Sequence, residues 1–248
     1  MGESFGPWRM GNDAELMRYI SSANIACGYH AGDAGTMRET VELALRSGVE
    51  IGAHPGFQDL QGFGRRNMTL SPQEVFDVVL YQVSALKGIC ESGGGRLHHV
   101  KPHGALYNQA ARDPETASAI AGAIMRLDPR LILYGLSGSS LISEAKKAGL
   151  KTASEVFADR RYENDGSLTP RSGTNAVITD TSEAAAQTLG LVLEGSVTAV
   201  DGSRVAVAAE TICIHGDGEN AVAFARAVRG ELGALGIAVV APLQDNDG

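Results

Sequence analysis

Leu97-His98-His99-Val100, followed directly by Lys101-Pro102-His103, sets the reading of the chain: an apolar-flanked run of strand length ends on a cluster of acid–base side chains. The arrangement recurs. His54 follows Val49-Glu50-Ile51-Gly52-Ala53, His30 and Asp33 follow Asn24-Ile25-Ala26-Cys27-Gly28, and His215 and Asp217 follow Thr211-Ile212-Cys213-Ile214. Further short apolar runs lie at 131–135, 176–178 and 237–240. In a parallel barrel the carboxyl ends of all strands share one rim, so these polar residues converge although they are distant in sequence. His98 and His99 fall inside their run and read as structural.

Helical signals separate the runs. Ser71-Pro72-Gln73-Glu74 has the form of a capping box with proline in the first turn, and Gly93-Gly94-Gly95 stops the helix that follows. Asp113-Pro114-Glu115 opens another helix, and 218–235 reads as a third. Strand runs alternating with helices predict right-handed crossovers and a mainly parallel sheet, open or closed into a barrel. Asp201-Gly202, between apolar runs at 197–200 and 205–207, predicts a hairpin.

The 248 residues are expected to form a single domain, 1–248. With 44% hydrophobic and 20% charged residues the composition is that of a globular protein, and no apolar run reaches the roughly 20 residues of a membrane span. The first twenty residues do not read as a secretory signal. Cys27, Cys90 and Cys213 lack metal-type spacing and predict reduced thiols and a cytoplasmic location. A net charge of −8 argues against nucleic-acid partners.

Two long segments frame the predicted rim: 54–70, with Asp59, Arg65 and Arg66, and 155–175, with Asp159, Arg160, Arg161, Asp165 and Arg171. Connections of this length in compact domains are commonly lids or binding loops. Their arginines suit capture of a carboxylate or phosphate, or else pair with acids of their own loops. No Walker-type phosphate loop occurs. Gly135-Leu136-Ser137-Gly138-Ser139-Ser140 lacks the lysine and reads as a strand-to-helix turn with a serine cap. Neither a Gly-x-Ser-x-Gly elbow nor a His-Glu-x-x-His helix is present.

Six segments together carry a family pattern: Ser21-Ser22-Ala23-Asn24-Ile25-Ala26-Cys27-Gly28-Tyr29-His30-Ala31-Gly32-Asp33, Gly52-Ala53-His54-Pro55-Gly56, Gly62-Phe63-Gly64-Arg65-Arg66, Val100-Lys101-Pro102-His103-Gly104-Ala105-Leu106-Tyr107-Asn108, Glu155-Val156-Phe157-Ala158-Asp159-Arg160 and Thr211-Ile212-Cys213-Ile214-His215-Gly216-Asp217. Nearly end to end, the chain resembles the LamB/YcsF family of 5-oxoprolinase A subunits. The resemblance implies an α/β fold, an incomplete (β/α)7-type barrel of the glycoside hydrolase/deacetylase kind. It also implies ATP-dependent hydrolysis of 5-oxoproline to L-glutamate together with partner subunits B and C, with ATP used by the complex. The family usually begins with a strand reading Asp-Leu-Asn-x-Asp-Leu-Gly-Glu, whereas this chain starts Met1-Gly2-Glu3. The expectation is a barrel without its first strand, without that strand's acidic rim ligand, and with an edge beside 22–27.

An unstrained lactam is a poor electrophile, and phosphorylation of its amide oxygen would make it a better one. On this reading His103, Glu155 or Asp159 activates water and Lys101 with an arginine holds developing negative charge. Asn24, His30, Asp33, Arg65, Arg66 and Arg160 are the expected substrate contacts. Two alternatives stand beside it. One is a deacetylase-like amidohydrolase with a divalent metal on His30, His54 and His215, or with His103 in the set. The other is a non-catalytic activating subunit.

Overall fold

The computed structural model describes residues 1–171, 173 and 175–244. Six strands, β1 (Ser22–Ala26), β2 (Glu50–His54), β3 (Leu97–Val100), β4 (Ile132–Leu136), β5 (Thr152–Phe157) and β8 (Thr211–Cys213), lie side by side in that order, every pair parallel. The sheet curls into a half-barrel, and helices cover its convex face. β6 (Ser196–Thr198) and β7 (Arg204–Ala206) form the predicted antiparallel hairpin, a separate decoration between β5 and β8.

The helices begin and end where side-chain chemistry dictates. Asp33 caps α2 (Ala34–Ser47) by accepting from Thr36 N, and Gly48 ends it in the left-handed region. α3 (Pro72–Ser92) carries the predicted capping box between Ser71 and Glu74 and stops at Gly93. Asp113 and Pro114 start α5 (Pro114–Leu127). The apolar stripes of α3 and α5 bury Val79, Val83, Leu86, Ile120 and Ile124 completely or nearly so, each contributing about 1.5–3 kcal/mol of transfer free energy. α4 (Gly104–Ala110) and α6 (Ser140–Lys147) complete the crossovers around β4. Ser139 stands at the N-cap of α6 as expected, but its hydroxyl makes no capping hydrogen bond.

The sheet has two open edges, β1 and β8. Side chains close the space between them: Leu16 of α1 (Asp13–Leu16) packs with Ala221 and Ala225 of α8 (Ala221–Ala234). The edge expected beside β1 is partly occupied. The Met1 amino group donates to Asn24 O (2.8 Å) and Ala26 N donates to Met1 O (3.0 Å), a parallel register of Met1 on Ile25. This carries Glu3 onto the rim, so the absence of an acidic group from that position is corrected: Glu3 supplies one.

Two further expectations are corrected. Residues 176–178 make one isolated bridge, Arg160 with Val177, and 237–240 run as irregular chain along the cavity. β5 is not an apolar run in sequence because it carries Ser154 and Glu155 in buried positions, and the Glu155 carboxylate is satisfied by distant Lys101. Among the described residues no helix is long and apolar enough to cross a membrane.

Candidate functional site

One cavity of about 590 Å³ opens at the carboxyl ends of the strands, within the usual range for small-molecule sites. β3 delivers Lys101 and His103, β2 delivers His54, β5 delivers Glu155, and β8 leads to Cys213, His215 and Asp217, all lining it. The topology assembles the cluster, since every parallel strand ends on this rim.

Its centre is a buried charge pair. Lys101 Nζ lies 2.8 Å from Glu155 Oε1 and donates to Cys213 Sγ at 2.9 Å. The Tyr107 hydroxyl donates to Glu155 Oε2 at 2.8 Å, so both carboxylate oxygens are engaged. Lys101 also sits over the Tyr107 and Phe157 rings. Burial opposes the lysine charge, but Cys213 and Glu155 outweigh it and raise the lysine pKa. Burial, against the pull of Lys101, pushes the Cys213 thiol up to about 12.

A second pair places its histidine, His215, in the same cavity, with Asp159 behind it outside the lining. His215 Nδ1 lies 2.8 and 2.9 Å from the two Asp159 oxygens, and His215 N donates to Asp159 Oδ2 at 3.2 Å. Burial opposes ionisation of Asp159, yet His215 holds its pKa below the usual value. With Nδ1–H committed to a carboxylate, Nε2 carries the lone pair, the arrangement that orients a histidine as a base. Beyond it, Arg65 pairs with Asp217 at 2.6 Å.

His54 and His103 form the third feature. His54 Nδ1 is 2.6 Å from the Lys101 carbonyl and His103 Nε2 is 2.8 Å from the Phe63 carbonyl, so both nitrogens donate. Burial keeps both rings neutral, His103 down to a pKa of about 3. His54 Nε2 and His103 Nδ1 therefore present lone pairs to each other 3.0 Å apart. Glu3 completes a group whose ligand atoms lie within 4.8 Å of one another. Two histidines tied back to carbonyls with free nitrogens converging beside a carboxylate fit a divalent metal by donor type and spacing.

This is not the expected metal trio. His30 has no hydrogen-bond partner on either ring nitrogen among the described residues, and it stacks face to face on His103 with centroids 3.7 Å apart, fully buried and outside the cavity lining. His215 does not belong to that group either. Only His54 of the three joins the metal-type group. Gly64 permits the stacking: its φ is +62°, and a Cβ there would lie 2.7 Å from His30 Cβ.

Of the other expected contacts, Asn24, Arg65 and Arg160 line the cavity, with Asn24 Oδ1 also 3.0 Å from His99 Nε2. Gly52 makes room for the His99 ring, which a Cβ would strike at 2.0 Å. Asp33 lies elsewhere, its carboxylate spent on Thr36 N and Gly6 N. Arg66 also lies away from the cavity, paired with Asp59 and mostly exposed. Sequence reasoning passed over two residues. Tyr107 sits in the quoted 100–108 segment but reads as helix core, and Glu3 reads as a remnant.

The LamB/YcsF family model matches residues 1–247. The chain is 59% identical over 241 residues to the 5-oxoprolinase A subunit of Shouchella clausii, covering 97% of this chain and 95% of that one. It is 54% identical to the 5-oxoprolinase A subunit of Brevibacillus brevis over the same shares. The crystal structure of the lactam utilization protein of Thermus thermophilus superposes with a TM-score of 0.92 at 52% identity, covering 98% of this chain and 97% of that one. The half-barrel, its rim cluster and this end-to-end similarity place the chain in the LamB/YcsF family.

Proposed function

We propose that this chain is the lactam-opening component of an ATP-dependent 5-oxoprolinase, acting as one domain in the cytoplasm with partner subunits B and C. The observation that carries the reading is the pairing, in one cavity, of an Asp-oriented histidine with a buried ammonium. Ring opening of 5-oxoproline adds water to the lactam carbonyl carbon, breaks its bond to the ring nitrogen and protonates that nitrogen, giving glutamate. His215 removes the proton from water and returns one to the leaving nitrogen, as general base and then general acid. Asp159 fixes its tautomer. Lys101, held by Glu155, faces the negative charge that develops on the carbonyl oxygen. The base is therefore His215 rather than Glu155 or Asp159, whose oxygens are already engaged, or His103, whose one free nitrogen faces His54.

ATP supplies the drive for hydrolysis of an unstrained amide. We assign its binding to the partner subunits, in keeping with the lack of a Walker-type loop in this sequence. A divalent metal, if the complex uses one, would be held by Glu3, His54 and His103 and would polarise a carbonyl or acidify a water.

Mixing this chain with subunits B and C and following glutamate and ADP release from 5-oxoproline tests the assignment. Glutamate should appear only when all three are present. Full turnover by B and C without this chain would dismiss it.

A further inference from the structure

The cavity wall beside β5 and β8 carries several charged side chains, and most of them are already engaged. Glu155 is paired with Lys101 and Asp217 with Arg65, while Asp159 accepts from His215 N and Glu210 from Ser154 N. Arg160 and Arg171 remain, both lining the cavity, and neither has an ion pair among the described residues.

Arg160 is only 3% exposed. Its Nε donates to Ala176 O (3.2 Å) and its Nη2 to Thr169 O (2.5 Å), so the guanidinium is held by backbone carbonyls at both ends of the stretch that bears Arg171. Arg171, at the mouth, makes no hydrogen bond among the described residues. It is close enough to disfavour the charge on Arg160. Burial first and Arg171 second lower the Arg160 pKa to about 10. Asp159 supports the Arg160 charge from nearby without a direct ion pair, and a buried guanidinium so placed gains when an oxyanion enters. The planar fork suits a carboxylate or a phosphate oxygen pair.

We propose that Arg160 and Arg171 form an oxyanion subsite of this cavity that takes the substrate's own carboxylate, with Arg171 contacting it and Arg160 positioning the Arg171 loop. The proposal rests on reading the cavity as a lactam site. It divides the cavity by chemistry: the ring amide goes to the His215 and Lys101 side, the carboxylate to the arginines. A lactam without a carboxylate then fails at binding, before any chemistry.

The test is calorimetric titration of the full chain with 5-oxoproline, with 2-pyrrolidinone, which is the same ring without the carboxylate, and with inorganic phosphate. Wild type, Arg171→Gln and Arg171→Lys are compared. Wild type should bind 5-oxoproline on the order of 10- to 100-fold more tightly than 2-pyrrolidinone, the range for charge-assisted hydrogen bonds. Arg171→Gln should narrow that gap to within about threefold while leaving 2-pyrrolidinone unchanged, and Arg171→Lys should recover part of it. Because Arg171 is exposed, both variants should melt with the wild type. An undiminished gap in Arg171→Gln overturns the proposal, as does equal wild-type affinity for the two lactams or no binding of any of the three probes. Phosphate that competes with 5-oxoproline in wild type but not in Arg171→Gln supports one shared oxyanion subsite. Phosphate bound through Arg171 with neither lactam bound keeps the anion subsite and defeats the lactam reading, which separates the two failures.

Discussion

Replacing Lys101 by methionine should damage the fold more than any other single rim substitution of similar volume. Lys101 and Glu155 are 5% and 1% exposed, and the lysine is the carboxylate's cationic partner at 2.8 Å. Methionine preserves the aliphatic stem over Tyr107 and Phe157 but leaves Glu155 buried with only the Tyr107 hydroxyl. Breaking a buried pair in this one-sided way costs about 3–5 kcal/mol. For a chain of this size about 2–4 °C of melting temperature goes with each kcal/mol, so a drop of roughly 6–20 °C is expected. The compensating variant sharpens the test. Lys101→Met combined with Glu155→Gln removes the orphaned charge and keeps an acceptor for Tyr107, so it should melt above the single variant although it changes one more residue. Calorimetry or circular dichroism on the three proteins reads this directly. A single variant melting within about 2 °C of wild type, or a double variant melting lower still, would refute the reasoning about the buried pair.

Three further outcomes follow from the geometry. Burial and neighbouring cations keep His98 and His99 below their ordinary pKa, so the unfolded chain binds more protons; stability present above about pH 6.5 should fall on acidification by up to about 1.4 kcal/mol per pH unit for each proton excluded, and a urea midpoint unchanged between pH 7.5 and 5 would contradict this. Zinc or manganese added to chelator-treated protein should raise its melting temperature through Glu3, His54 and His103, and His54→Ala should abolish the rise; a rise that persists in His54→Ala would place any metal elsewhere. Gly64→Ala should destabilise by about 1–3 kcal/mol, because it meets both a left-handed backbone and the His30–His103 stack, and a neutral melt would show that the stack yields freely.

The sequence made the scaffold legible wherever local chemistry and burial agreed. Ser71 with Glu74, Asp113 with Pro114, and Asp201-Gly202 each marked an element that the structure contains. The apolar runs ending at Ala53, Val100 and Ile214 marked strand ends that deliver His54, Lys101 and His215 to one cavity. Reading stopped where burial and polarity conflict. β5 hid because Ser154 and Glu155 are buried but polar, and the partner of the carboxylate, Lys101, lies far away in sequence. Residues 237–240 misled because apolar chain that lines a cavity looks like apolar chain in a sheet. Within the site, residue types identified the histidines, but roles depend on which nitrogen is free, and that is set by the carbonyls of Lys101 and Phe63 and by Asp159. Likewise Asp33 and Arg66 carry the right functional groups but spend them on a helix cap and on Asp59.

The central claim is that His215, oriented by Asp159, is the acid–base group of lactam opening. The most direct measurement is steady-state glutamate formation by the chain with subunits B and C, comparing wild type, His215→Ala and Asp159→Asn across pH. His215→Ala should lose on the order of 10²–10⁴ in kcat with the complex still assembled, and Asp159→Asn should lose less while shifting the acidic limb of the pH profile. A His215→Ala enzyme turning over within about twofold of wild type, with an unchanged pH profile, would contradict the account.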